Sequence, residues 1–117
     1  MKMVKVQITD LNKIPFTRAP IIYTWRRRDT WLYVGSSKHG TKRLTGHHII
    51  SRASFQPGDI VNVFILSMPI TKDELEEYEY KLIKKYSPIY NKTKKVPTLE
   101  KLRLAALGKI WIQNHSV

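Results

Sequence analysis

A chain of 117 residues is long enough for one domain with a real core and too short for two. Its 42% hydrophobic and 26% charged residues exclude wholesale disorder. The lack of cysteine excludes a disulfide framework, a thiolate zinc site and a cysteine nucleophile. The balance of 21 Lys and Arg against 9 Asp and Glu leaves a net charge of +12 and points to an anionic partner, with nucleic acid the commonest for a compact basic domain.

A membrane is the competing anionic surface, but the longest strictly apolar run is Val63 to Leu66, far short of a span. Residues 1–10 alternate charge with aliphatics and lack the apolar stretch of a signal peptide, so an intracellular protein without membrane attachment is expected.

Val4, Val6 and Ile8 alternate with Lys5 and Gln7, which predicts a short half-buried strand. Pro15 and Pro20 mark the following stretch as a connecting loop. Ile21–Trp25 and Thr30–Gly35 are β-rich runs separated by Arg26, Arg27, Arg28 and Asp29, an antiparallel hairpin with its turn in the arginine run. Ser36–Gly40 is polar loop, and Thr41–Ile50 spaces Leu44 and His48 at a helical period. Gln56–Asp59 breaks the chain before a strongly apolar strand over Ile60–Ser67.

Thr71 followed by Glu74 forms a capping box. Leu75, Tyr78, Leu82, Ile83 and Tyr86 make one apolar helix face behind it, closed by Ser87-Pro88. Thr98 opens a third helix to about residue 114, with Leu99, Leu102, Ala106 and Ile110 inward. The order β, ββα, β, α, α predicts a single α+β domain over 1–117. Its sheet is small and mostly antiparallel, of three to four strands flanked by helices.

Within this frame stand Tyr23, Tyr33, Arg43, His47, Glu79 and Asn91. Taken singly, each has an ordinary explanation as a packing tyrosine, a solvated arginine or a helix-surface acid. Spacing ties them together. Arg43 and His47 are four apart and project from one helix face, Glu79 sits beside the apolar stripe of its helix, and Asn91 follows the Pro88-Ile89-Tyr90 turn where the chain returns toward the sheet. His39, His47 and His48 do not form a zinc site by this reading, because adjacent histidines do not converge on one ion and no cysteine assists.

Residues 21–35, Ile21-Ile22-Tyr23 followed by Tyr33-Val34-Gly35, resemble a GIY motif followed by a YIG motif. The segment from Glu79 to Pro88-Ile89-Tyr90-Asn91 is similar to the late segment of the same family, in which a helical Glu precedes Pro-x-Tyr-Asn. Arg43, ten residues beyond the YIG tyrosine, and His47 complete the ordered set. The likeness, to the GIY-YIG nuclease superfamily, covers about residues 15–95. Ile21 stands where the motif has its first glycine, a strand position and not a reacting group.

The resemblance implies a metal-dependent endonuclease that hydrolyses DNA, duplex or branched. Glu79 would hold Mg²⁺ or Mn²⁺, a hard cation that keeps most of its waters and needs few protein ligands. Tyr23 would serve as base or proton relay, Tyr33 would orient the water or a phosphate oxygen, and Asn91 would hold the geometry by hydrogen bonding. A phenol of ordinary pKa near about 10 is a poor base, so His47 or nearby positive charge must assist it. Arg43 suits a phosphate clamp because its planar fork matches phosphate oxygens.

Arg26, Arg27, Arg28, Lys38 and Lys42 are the candidate DNA-backbone contacts, and Trp25 and Trp31 would pack in the core in preference to stacking on bases. Recognition would have to come from the chain's own loops, a homodimer or a recognition partner. Two other classes remain: a non-catalytic basic nucleic-acid-binding protein with the same fold, and a basic RNA-associated interaction protein. The first has no need of Glu79, and the second needs only the charge.

Overall fold

The computed structural model describes residues 3–45, 50 and 54–91, with the backbone alone described at Arg43 and Thr45. Four strands form one sheet: β1 (Met3–Ile8), β2 (Ile21–Arg27), β3 (Thr30–Ser37) and β4 (Asp59–Leu66). Their order is β1-β4-β2-β3, and each neighbouring pair is antiparallel. A short helix, α1 (Lys42–Thr45), follows β3, and a longer one, α2 (Lys72–Tyr86), follows β4. This is the α+β architecture with an antiparallel sheet that the pattern predicts. The predicted third helix lies outside the described residues, as do residues 46–49 of the helix expected over Thr41–Ile50.

The two central strands bury both faces. On one face Ile21, Tyr23 and Trp25 of β2 join Val61 and Val63 of β4 under Leu44 of α1. On the other, Ile22 packs with Leu66, Ile70 and Leu75, which seats the start of α2 against the sheet. The capping box of α2 is closed in both directions. The Glu74 N–H donates to Thr71 Oγ1 and the Thr71 N–H to Glu74 Oε1, each at 3.1 Å. At the far end Ser87 takes a left-handed conformation (φ 45°) and its N–H donates to the Ile83 carbonyl at 2.8 Å, after which Pro88 ends the helix. Tyr78 departs from the expected apolar face and is 42% exposed, because α2 rests on the β3 side of the sheet and this side chain overhangs its flank.

The arginine run is the main local surprise. The hairpin turn contains only Arg28 and Asp29, with Arg28 at φ 52°, whereas Arg26 and Arg27 belong to β2 beyond a bulge at Trp25/Arg26. Arg27 pairs in register with Asp59 on β4 and grips it with two hydrogen bonds, Nε to Oδ1 at 2.8 Å and Nη2 to Oδ2 at 2.9 Å. Its guanidinium also donates to the Ser54 carbonyl at 2.9 Å. Arg27, counted among the DNA-binding candidates for its place in the basic run, is thus also a structural cross-link between β2 and β4. Asp59, fully buried, further accepts from Trp25 Nε1 at 3.0 Å and the Gln56 N–H at 2.9 Å. β4 begins one residue earlier than the apolar pattern predicts because this carboxylate is held inside the sheet.

Burial alone would push the Asp59 carboxyl pKa up. The Arg27 guanidinium, the Gln56 N–H and the Trp25 indole outweigh that and hold it below the ordinary carboxylate value. A depressed native pKa contributes stability above the unfolded value of about 3.9 that is lost as pH falls through the native one. Asp59→Asn should therefore lower the melting temperature at pH 7 by about 10 °C, for about 2 kcal/mol lost, and flatten the acid limb of the stability curve below about pH 4. A variant that melts like the wild type at pH 7 would show the network to be dispensable.

Candidate active site

Gly35 lies directly opposite Tyr23 in the β2–β3 ladder, and the phenol ring of Tyr23 lies across it. A Cβ at position 35 would collide with the ring carbon and hydroxyl of Tyr23, so the glycine gives the tyrosine its place. Tyr33, two residues earlier on the same face of β3, brings its ring centroid to 6.0 Å from that of Tyr23, at an interplanar angle of 49°. Tyr23 is 3% exposed and Tyr33 half-buried. Both line a cleft of about 820 Å³.

α2 supplies the opposite wall. Glu79, half-buried, accepts a hydrogen bond from Ser36 Oγ at 2.7 Å, which ties its carboxylate to the strand residue just past Gly35. Glu76, one turn earlier, lines the same cleft, so a second carboxylate accompanies Glu79 there. Lys38 and Lys42 approach from the loop after β3 and from the start of α1, and Lys72 from the start of α2. The cleft thus sets two phenols and two carboxylates among three ammonium groups.

The loop before β2 positions α1. Gly40 (φ 88°) packs its Cα against the Thr17 carbonyl, where any Cβ would strike backbone. Thr41 then donates its N–H to the Thr17 carbonyl at 3.0 Å and its hydroxyl to the Pro15 carbonyl at 2.8 Å. The Thr17 N–H returns a bond to Thr41 Oγ1 at 3.1 Å. These bonds anchor the turn from which α1 carries Lys42 into the cleft and presents the Arg43 backbone next to it.

The family model of the GIY-YIG catalytic domain matches residues 19–94, which spans β2 through the end of α2 and the turn after it. The chain belongs to the GIY-YIG nuclease superfamily. No curated protein and no solved structure shows a significant match to it.

Of the residues singled out in the sequence, Tyr23, Tyr33 and Glu79 of the GIY-YIG pattern and the candidate phosphate contacts Lys38 and Lys42 come together at one cleft. Arg43 lies on α1 directly after Lys42, and His47 lies outside the described residues. Asn91 returns to the sheet, as its place after the Pro88-Ile89-Tyr90 turn predicts. Its side-chain amide pairs with the edge of β3, accepting from the Val34 N–H at 3.0 Å and donating to the Val34 carbonyl at 2.9 Å. The Ile89 and Tyr90 N–H groups bond the Trp31 and Leu32 carbonyls at 3.2 and 2.8 Å, so the segment after α2 closes the open edge of the strand that carries Tyr33 and Gly35.

Arg28 is exposed at the hairpin tip, about 17 Å along the strand from Tyr23. Trp25 is fully buried against Asp59 and Tyr90, as core packing predicts. Among the described residues no helix is long and apolar enough to cross a membrane. Ser36, Glu76 and Lys72 went unnoticed in the sequence. Ser36 had a signal, since it adjoins the glycine of the second motif. Glu76 had a weaker one, three residues before Glu79 on one helix flank.

Proposed function

We propose that this GIY-YIG domain is a metal-dependent endonuclease that hydrolyses DNA phosphodiester bonds, with Mg²⁺ or Mn²⁺ held at Glu79 and the chain acting as one domain over 1–117. The observation that carries this reading is the cleft itself, where Tyr23 and Tyr33 face a carboxylate anchored by Ser36 and lysines ring the opening. The donors there are hard oxygens, the Glu79 and Glu76 carboxylates and two phenols, which suit a cation that retains several waters. Among the described residues no three His, Cys, Asp or Glu side chains converge as a closed metal cage. When bound, such a cation supplies Lewis-acid stabilisation of charge on the scissile phosphate and the leaving oxygen.

In this reading the scissile phosphate lies between the lysines and the phenols. The oxygen of an attacking water bonds to phosphorus as its proton passes to the Tyr23 oxygen, which hands its own phenolic proton to His47, and the bond from phosphorus to the 3′ oxygen breaks, the leaving oxygen taking a proton from solvent. Tyr33 orients the water or a phosphate oxygen, and Arg43 clamps the phosphate in the transition state, where a charge contact counts most. Lys38, Lys42 and Arg28 add backbone contacts, and a homodimer or recognition partner supplies target choice.

Purified protein with supercoiled plasmid and Mg²⁺ should produce nicked circles, and EDTA should stop the reaction. Tight DNA binding without nicking in either Mg²⁺ or Mn²⁺ would favour the non-catalytic binder.

A further inference from the structure

A second cavity, of about 460 Å³, lies on the other flank of α2 from Glu79, above the β1–β4–β2 side of the sheet. Its volume falls in the range of small-ligand sites. Its floor is unusual for a sheet face. Thr24 of β2 and Asn62 of β4 stand directly opposite each other in the ladder, 3% and 8% exposed, and neither Thr24 Oγ1 nor Asn62 Oδ1 has a hydrogen-bond partner among the described residues. Arg26, two residues along the same face of β2, has its Nε buried and equally unpartnered. Buried polar atoms without partners are rare in folded proteins, and three in one cavity form an unfilled row: a donor, a hydroxyl of either sense and a carbonyl acceptor.

The walls are aromatic. Trp31 stacks on Tyr86 with ring centroids 3.9 Å apart at 20°, the Arg26 guanidinium lies 5.5 Å from the Trp31 ring centre, and Tyr78 leaves its ring exposed at the rim. The mouth is cationic. Lys5 is exposed on β1, and Lys81 is exposed on α2 with its ammonium 3.6 Å from Glu77, while among the described residues no Asp or Glu side chain lines the cavity. A planar ring with a mixed donor and acceptor edge fits the floor and walls, and a phosphate attached to it fits the mouth.

We infer that this cavity is a binding site for a nucleobase carrying a phosphate, separate from the cleft around Glu79, with the base edge on Asn62, Thr24 and Arg26 and the phosphate toward Lys5 and Lys81. The identity of the ligand rests on the reading of the protein as a nucleic-acid enzyme, but its binding needs no cleavage. The same chemistry comes either from a free nucleotide or from an unstacked base within a strand.

The test titrates the full chain, in EDTA to prevent cleavage, with each deoxynucleoside 5′-monophosphate, with baseless deoxyribose 5-phosphate, and with short single strands with and without one abasic position. The Arg26 Nε–H and Trp31 indole resonances report the site. Monophosphates should give saturable shifts, and the baseless sugar phosphate should bind at least about tenfold more weakly. A strand tighter than the monophosphate by about tenfold or more, and weakened by the abasic position, identifies a base within a strand as the source. Equal affinity identifies a free nucleotide.

The Thr24→Val/Asn62→Leu double variant removes two of the three polar groups of the row at nearly constant shape and should lose at least about tenfold in affinity while still nicking plasmid. Lys5→Glu, an exposed change, should weaken phosphate-bearing ligands by a smaller factor and serves if the double variant does not fold. Absence of saturable shifts, equal binding of the baseless sugar phosphate, or full affinity in these variants overturns the site. A wild type that nicks plasmid without binding nucleotides here loses only this site, whereas one that binds them without nicking loses only the nuclease reading.

Discussion

Glu79→Gln is expected to reduce plasmid nicking by at least about three orders of magnitude, which corresponds to about 4 kcal/mol of transition-state stabilisation, while DNA binding survives. The substitution is nearly isosteric, and the glutamine carbonyl can still accept the Ser36 hydroxyl that now bonds Glu79 Oε2 at 2.7 Å. What disappears is the charge that would retain a divalent cation. Removing a negative group from a cleft bordered by Lys38, Lys42 and Lys72 should leave affinity for DNA unchanged or slightly raised, because phosphate attraction is then less opposed. Nicking rates and gel-shift titrations on the same preparation separate the two effects. A Glu79→Gln protein that nicks at the wild-type rate would remove the carboxylate from the chemistry, and Glu76, on the same helix flank, would be the next residue to change.

Tyr23→Phe is expected to fold normally and to lose about two to three orders of magnitude in cleavage rate. The ring fills core volume beside Ile21, Trp25, Val61 and Val63 with carbons that phenylalanine keeps, and over Gly35 the ring carbons remain while the hydroxyl's share of the contact goes. Only the hydroxyl is lost, the atom assigned to receive the water proton. The structure also dictates the control: Tyr33→Phe alters the other phenol of the pair, 6.0 Å away between ring centroids, and should be the milder change if that residue only orients. Thermal melts of both variants exclude unfolding as the cause. An active, normally folded Tyr23→Phe would move the proton-transfer role to Tyr33 or His47.

The anchoring of the cleft rests on pairs that no short window of sequence contains. Ser36 and Glu79 are 43 residues apart, and Asn91 and Val34 are 57 apart. Asn91 holds the edge of β3 at the residue between Tyr33 and Gly35, so it acts on the cleft through the strand backbone. Arg27 illustrates the same point more sharply. In sequence it is the middle of a basic run and looks solvated, yet the bulge before Arg26 and the register against β4 place it on the buried Asp59.

Local periodicity and end signals were enough for the elements themselves. Period-two apolar alternation in Val4–Ile8, the β-rich run Ile21–Trp25, the Thr71–Glu74 box and the Ser87-Pro88 stop are short-range physics, written within a few residues of where they act. The ordered motifs from Tyr23 to Asn91 likewise sufficed to place the chain in its superfamily. Strand order, register and the bulge were decided only in three dimensions, because pairing depends on which distant strand is adjacent and alternation reveals only the parity of each residue. That is why Tyr23 and Glu79 were recognisable as a set from the chain alone. The Ser36 tether, the buried Arg27–Asp59 link and the unpartnered row of Thr24, Asn62 and Arg26 emerged only when β4 was laid between β1 and β2.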